Sequence, residues 1–526
     1  MLVTDKQLVR AMQSPSFYPH NPPSVEMIQT HISRVFIAGD KVYKVKKSVN
    51  FGFLDFSTLD KRKFYCEEEL RLNSRLAPSV YESVVPITDD GLGNPVLNGK
   101  GEVIEYTLVM RRLPEERMLY RLLAQGKVET EVMDAIARCL YEFHGRADTG
   151  GEIDRLGSLE TIKLNHDENF SQTEPYIGRA LSASAHRFMK ACAHSFMDKN
   201  EELFQRRVKE HRIRDCHGDL HLQHICLDGD EIVIFDCIEF NRRFRYLDVA
   251  AEIAFLSMDL EGNGYREHEK AFVNAYLNYS GDVEIVKLLN FYRAYFAFVR
   301  GKVTAFRLDD PATDEAEKNA ITEEAARYFE RSAGYASRPE KPTLILMTGL
   351  MGSGKSSLAE QLAVYLNATV IQSDVLRKQL LGIEPSSRRY EPYGKGIYGE
   401  EMTRKTYDEA MERARAIMDD GGCVIVDASF RRKTERERFR FLAERQYAGF
   451  FAVECACPDE EIKKRLNHRV AKSGSVSDGR WEIYEAQKKD FDPIDDIDPR
   501  EHIRADTSLP LSECVYDVLE KLKGVS

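Results

Sequence analysis

The spacing Gly349-x4-Gly354-Lys355-Ser356 permits one kind of chemistry above others, a grip on the phosphates of a nucleotide. Glycines let successive backbone N–H groups turn inward around phosphate oxygens, and a helix beginning there adds partial positive charge. Lys355 has the reach for the β- and γ-phosphates, and the Ser356 hydroxyl is a ligand for Mg²⁺. Gly352, Ser353 and Ser357 complete the set expected to touch the nucleotide. Roughly 130 residues earlier stands a second constellation. Asp219 lies in Cys216-His217-Gly218-Asp219-Leu220-His221, and Asp236 follows Ile234-Phe235. Two such carboxylates serve phosphoryl transfer when one meets an acceptor hydroxyl, the other a metal, and a lysine reaches the phosphates. Val42-Tyr43-Lys44-Val45-Lys46 offers two lysines on one face of a strand, so alternation alone leaves Lys44 and Lys46 both open. Lys44, directly after Val-Tyr, is preferred. Its expected helix partner is Glu69, with Glu68 open beside it because the spacing to Leu72 and Leu76 allows both.

Acids at the ends of apolar runs extend the first constellation. Val370-Ile371-Gln372-Ser373-Asp374 ends a strand-like run, and Arg377 lies one helical turn further on. A carboxylate there can orient an acceptor hydroxyl and take its proton, so Asp374 is a candidate catalytic residue. Val424-Ile425-Val426-Asp427 repeats the pattern, and Asp427 is expected in the Mg²⁺ shell with Ser356. For both acids the competing reading is a helix N-cap. Arg465 and Arg469 lie on a predicted helix before the Gly/Ser-rich stretch 472–480. This arrangement resembles the mobile lid of adenylate-kinase-like and polynucleotide-kinase-like enzymes, whose lid arginines neutralise the transferring phosphoryl group; the resemblance implies that role for Arg469 first and Arg465 second.

The elements that must carry these residues are legible in outline. Runs rich in β-branched and apolar residues at 31–37 and 41–47 flank the turn Ala38-Gly39-Asp40, a hairpin pattern. A helix is expected over 61–76, a strand over 106–110, helices over much of 129–210, and a strand pair bracketing Asp219 and Asp236. Helix follows again after Tyr246, and another is expected over 315–332. A polar, proline-bearing linker at 336–342 separates a first domain, 1–335, from a second, 343–526. Beyond it, strands at 343–348, 369–372, 423–427 and 450–455 alternate with helices, which argues for a parallel sheet.

These motifs carry two resemblances. The Ser-Asp-x-x-Arg arrangement at 373–377, with the loop at 349–356, resembles small P-loop kinases of the group that includes gluconate kinase, zeta toxin, chloramphenicol phosphotransferase and polynucleotide kinase. Asp219 in His-Gly-Asp, Asp236 seventeen residues on, and Lys44 resemble the catalytic Asp, metal-binding Asp and phosphate lysine of aminoglycoside and choline phosphotransferases. Val109-Met110-Arg111-Arg112-Leu113 resembles their adenine-contacting hinge. With Asp236-Cys237-Ile238-Glu239-Phe240-Asn241 and Phe244-Arg245-Tyr246-Leu247-Asp248, nearly the whole chain is similar to bacterial fusions of an aminoglycoside phosphotransferase-like domain and an ATP-binding domain. The resemblance implies an N-terminal α+β protein-kinase-like fold, a C-terminal α/β P-loop kinase fold, and ATP with Mg²⁺ in each. One departure stands out. His224 occupies the position five residues after Asp219 where that family has a metal-binding Asn, so His224 enters the metal set in a place where oxygen suits Mg²⁺ better. Asp248 is expected either to brace the catalytic loop or to cap the following helix.

Composition narrows the partners. The 526-residue chain has net charge −11, and from Lys341 onward 30 basic and 32 acidic side chains nearly cancel, which argues against nucleic acid as a partner. The basic run 431–440 is interleaved with Glu435 and Glu437 and reads as a solvated helix face. The first residues lack a signal-peptide pattern and no apolar run reaches membrane length, so a cytoplasmic location is expected. Ten cysteines without paired spacing read as reduced thiols, including the alternating Cys455 and Cys457. A zinc site built from Cys216, His217, His221, His224 and Cys226 is the rival to the two-carboxylate reading. The expected function is an ATP-dependent tandem phosphotransferase acting on small hydroxylated acceptors. The alternatives are a first domain that only senses nucleotide, and a second that phosphorylates polynucleotide ends or nucleotide sugars.

Overall fold

The computed structural model describes residues 4–52, 54–311, 313–384, 395–471 and 481–525; the side chains at 469–471 and 482 are outside that description. The chain forms two compact units, one of residues 1–165 with 200–296, the other of residues 166–199 with 297–526.

The first unit opens with an antiparallel sheet of strands β1 (Val25–Gln29), β2 (Ser33–Ala38), β3 (Lys41–Lys46), β4 (Tyr81–Asp89), β5 (Pro95–Leu97) and β6 (Glu102–Arg111), in the order β1-β2-β3-β6-β4-β5. The expected hairpin is β2–β3, with Gly39 at φ +69° in its turn. Strand β3 carries both lysines on one face. Tyr43 and Val45 enter an apolar core with Phe36, Ala38, Ile87 and Val109, which turns Lys44 and Lys46 together to the other face. That face meets the helix Leu59–Asn73, which starts two residues before the expected 61 because Thr58 caps it. Strands β1, β4 and β5 lie outside the runs expected as strands from the sequence.

Four short strands carry the loop with the two carboxylates. Strands β7 (Ile213–Asp215) and β10 (Tyr246–Asp248) pair antiparallel, and β8 (Ile225–Asp228) and β9 (Glu231–Ile234) form the hairpin between Asp219 and Asp236. The helix Val249–Gly262 then runs through the interior with eleven buried residues, so it carries no solvated face.

The second unit contains a parallel sheet of β11 (Thr343–Thr348), β12 (Ala368–Gln372), β13 (Cys423–Asp427), β14 (Gly449–Ala456) and β15 (His502–Asp506), ordered β12-β13-β11-β14-β15. Four of these match the expected strands; β15, with charged residues at alternate positions, was not anticipated. The helix Glu315–Ser337 continues into the expected linker, and with Ala183–Lys199 it joins this unit. Phe188, Phe329 and Ala333 share one apolar cluster with Leu358, Leu362, Val515 and Leu519, a contact no local pattern announces. The compact units therefore do not coincide with the segments 1–335 and 343–526. Among the described residues no helix is long and apolar enough to cross a membrane, and all ten cysteines are free.

Candidate functional site

In the second unit the phosphate-binding loop links β11 to the helix Lys355–Leu366. Its backbone requires glycine. Gly349 has φ +130°, and a Cβ there would lie 2.8 Å from the Cys455 carbonyl oxygen; Gly352 and Gly354 also have φ of +77° and +90°. Lys355 Nζ donates to Leu350 O at 2.9 Å, spanning the mouth of the loop. Ser356 Oγ donates to Asp427 Oδ2 at 2.6 Å. Asp427 ends β13, which pairs directly with β11, so adjacent parallel strands set hydroxyl and carboxylate side by side. Burial raises the Asp427 pKa, the Lys355 ammonium opposes this, and the nearby Asp374 charge adds to it. Asp427 is bound by the loop hydroxyl; its N-cap reading is not what the structure has. The same holds for Asp374, which sits inside the first turn of Ser373–Leu380 behind Gln372 as N-cap. Its Oδ1 accepts from Arg377 Nη1 at 2.8 Å. Arg377 is 6% exposed, packs over the Tyr398 ring, and its Nε–H has no acceptor among the described residues.

Arg465 donates from Nη2 to Thr507 O at 2.7 Å, while Thr507 Oγ1 donates to Ser353 O at 2.6 Å, so Arg465 and β15's end brace the phosphate-binding loop from behind. Arg469 belongs to the helix Asp459–Ala471, but its side chain and the stretch 472–480 lie outside the described residues. The run 431–440 is solvated at Arg432, Lys433, Glu437 and Arg438, but not at Arg436. Arg436 is fully buried, donates to Asp496 and to the carbonyls of Phe430 and Pro493, and Arg431 pairs with Asp490. Cys455 is buried on β14, and Cys457 follows that strand half-buried.

In the first unit, Lys44 Nζ stands 2.7 Å from Glu69 Oε1 and 2.8 Å from Asp236 Oδ1. Lys46 Nζ lies 2.6 Å from Glu69 Oε2 and also pairs with Glu239. Both lysines therefore reach Glu69, but only Lys44 links it to Asp236. Glu68 points elsewhere, to Arg71 on the helix surface. Burial would lower the Lys44 pKa; the carboxylates of Asp236 and Glu69 outweigh it and hold Lys44 charged. Desolvation likewise works against an ionised Asp236, and the Lys44 ammonium overrules it. Asp236 adopts φ +63°, a left-handed conformation that Asp tolerates, and its N–H donates to Tyr81 Oη at 3.1 Å.

The loop carrying Asp219 is held from beneath. Glu252 Oε1 accepts from the His217 and Gly218 N–H groups at 2.7 and 2.8 Å, and Oε2 lies 2.7 Å from His144 Nε2. His144 Nδ1 in turn lies 2.7 Å from Tyr276 Oη. His217 Nε2 donates to Phe235 O at 2.8 Å, tying the Asp219 loop to the strand before Asp236. The brace expected of Asp248 is thus supplied by Glu252. Asp248 caps Val249–Gly262 through the Ala250 N–H and binds Arg207, because its side chain ends β10 facing that helix start. A readable signal pointed to Glu252: a lone acid in the apolar run Val249-Ala250-Ala251-Glu252-Ile253-Ala254-Phe255-Leu256. His224 Nδ1 meets Asp219 O at 2.9 Å, with Nε2 3.6 Å from Asp236 Oδ2. The zinc set comes apart. Cys216 bonds the Leu247 carbonyl, and Cys226 is in an apolar cluster with Leu108, Met118 and Val233, leaving the histidines without thiol partners.

A family model described as an AAA domain matches residues 344–494. An uncharacterised protein of Mycobacterium tuberculosis, Rv2004c, is 30% identical over 485 residues, which cover 91% of this chain and 94% of that protein. The chain belongs to the same family as that mycobacterial protein. An adenylyl-sulfate kinase of Burkholderia ambifaria is 28% identical over 197 residues, 35% of this chain and 94% of that enzyme. Among solved structures, a choline/ethanolamine kinase family protein from Mesorhizobium loti aligns over 63% of this chain and 99% of its own, at 13% identity and a TM-score of 0.38.

Proposed function

We propose that the protein is an ATP-dependent phosphotransferase with two phosphate-handling sites, and that the second unit transfers the γ-phosphoryl group to a small, anionic, hydroxylated acceptor. The observation that carries this is the cluster at the C-terminal edge of the parallel sheet: Lys355 across the glycine loop, Ser356 on Asp427 at 2.6 Å, and Asp374 paired with Arg377 at the end of β12. Such edges are where open α/β sheets take ligands. Ser356 and Asp427 are oxygen donors suited to Mg²⁺, which when bound would screen charge on the β- and γ-phosphates. Lys355 neutralises the same oxygens once it leaves the Leu350 carbonyl. Asp374 orients the acceptor hydroxyl; its oxygen forms the new bond to the γ-phosphorus as the bond to the β-bridging oxygen breaks, and the hydroxyl proton passes to the carboxylate. Arg377, whose buried Nε–H has no acceptor among the described residues, supports an acceptor bearing a negative group. The adenylyl-sulfate kinase relative is named for an acceptor of that description. Arg469 is proposed to close on the transferring group.

In the first unit Lys44, anchored by Glu69, would hold the α- and β-phosphates, Asp236 a metal, and Asp219 the acceptor hydroxyl. The test is a phosphorylation screen of pooled hydroxylated metabolites with γ-labelled ATP, using full-length wild type, Lys355→Ala and Asp219→Ala. Anionic products lost in Lys355→Ala support the reading. If Lys355→Ala leaves every product unchanged, it fails. If Asp219→Ala changes nothing while Lys355→Ala removes all transfer, the first unit is a nucleotide sensor and not a second enzyme.

A further inference from the structure

His224 is the residue in the first unit that does not suit the metal its fold implies, and its surroundings say more than its identity. Its Nδ1 lies 2.9 Å from the Asp219 carbonyl oxygen. A carbonyl only accepts, so Nδ1 carries the proton and Nε2 carries the lone pair. The ring plane is held by His221, with centroids 3.9 Å apart, and by Phe235 at 5.7 Å. The lone pair is thereby aimed at Asp236, with Nε2 3.6 Å from Oδ2. That separation is too long for a hydrogen bond. It does suit two donors sharing one ion, each about 2.0–2.2 Å from it. The backbone-bonded second nitrogen is the arrangement that fixes a metal-ligating histidine. His224 also stands with Asp219 and His221 in a group in which one ligand atom of each lies within 4.8 Å of the others, a group that does not include Asp236.

Mg²⁺ takes oxygen ligands and is reluctant to exchange water for anything else. Imidazole suits the first-row transition ions and Zn²⁺, with affinity rising from Mn²⁺ through Co²⁺ to Ni²⁺. We propose that the ion held between His224 and Asp236 is a divalent transition ion, taken in preference to Mg²⁺. The proposal rests on the reading of the first unit as a nucleotide-phosphate site, and it makes the metal requirement of this unit differ from that of the all-oxygen Ser356–Asp427 site.

The test uses the full chain with a non-hydrolysable ATP analogue and Co²⁺, Mn²⁺ or Mg²⁺ as the added ion. The ratio of Co²⁺ to Mg²⁺ affinity is measured for wild type, His224→Asn, His224→Gln and Asp236→Asn, with far-UV circular dichroism as the check on folding. The ratio is expected to fall at least about 10-fold in both His224 variants, the lower end of what losing even a supporting group costs a metal site. Independently of any variant, Mn²⁺ bound to wild type is expected to show histidine nitrogen coupling by electron paramagnetic resonance; no such coupling overturns the proposal. If the ratio is unchanged in the His224 variants while Asp236→Asn weakens both ions, His224 is no ligand and the nucleotide-site reading stands. If Asp236→Asn also leaves binding of both ions unchanged, both readings fall.

Discussion

Replacing Glu252 tests how the Asp219 loop of the first unit is held. Its carboxylate accepts two backbone N–H bonds, from His217 and Gly218, and both are buried. Bonds to an ionised acceptor contribute about 1.5–3 kcal/mol each against about 0.5–1.5 kcal/mol for neutral ones. Glu252→Gln keeps an oxygen in place and removes the charge, so about 2–3 kcal/mol of local stability is expected to go. His144 can follow the change by shifting its proton to Nδ1 and donating to Tyr276. Glu252→Ala leaves two amides and His144 Nε2 unsatisfied and is expected to cost about 3–5 kcal/mol. The assay is hydrogen exchange followed by mass spectrometry on peptides covering 213–224. In Glu252→Gln the His217 and Gly218 amides are expected to exchange roughly 30- to 150-fold faster, the conversion of 2–3 kcal/mol at 1.36 kcal/mol per decade. The pH dependence has a definite sign. Burial raises the Glu252 pKa, but the His144 bond and the loop amides outweigh it and the folded pKa is below its ordinary value. Such a group stabilises fully above its unfolded pKa, about 4.3, and the stability is lost as pH falls through the lower folded value. Protection, corrected for intrinsic exchange, is therefore flat from pH 8 to about 5 and declines in acid. Protection of 213–224 changed less than about threefold in both variants would refute the brace.

Two further substitutions separate neighbours that the sequence could not. Glu69→Ala leaves Lys44 and Lys46 sharing fewer carboxylates in a buried site and is expected to cost about 3 kcal/mol, with the nucleotide binding proposed for the first unit weakened, whereas Glu68→Ala breaks only a surface pair with Arg71 and stays within about 0.5 kcal/mol; urea titration and nucleotide binding read both. Gly349→Ala forces a side chain into φ +130° against the Cys455 carbonyl and is expected to cost about 1–3 kcal/mol and to remove nucleotide binding at the second unit, while Gly334→Ala, in a helix with 3.9 Å to its nearest neighbour, is expected to be neutral or up to about 1 kcal/mol stabilising by thermal melting.

The phosphate-binding loop, the two carboxylate motifs and four of the five parallel strands were readable from the sequence because each is a local pattern. A glycine spacing, an acid at the end of an apolar run and a two-residue alternation are complete within about ten residues. The same locality explains what stayed open. Alternation put Lys44 and Lys46 on one face but could not say which met Asp236, and helix spacing allowed Glu68 and Glu69 alike. The choice was made by the rotation of Leu59–Asn73 against β3, set by packing between residues far apart in sequence. Glu252 holds a loop more than thirty residues before it, and Asp248, the nearer acid, is drawn off by Arg207 from another helix. The helices at 183–199 and 315–337 join the second unit because their apolar faces match Leu358, Leu362 and Leu519, which no stretch of the first domain's sequence contains. The sequence by itself determined which chemical groups are present and roughly which elements bear them. The tertiary structure decided which of those groups meet, since a hydrogen bond or ion pair depends on a few ångströms across the fold and not on separation along the chain.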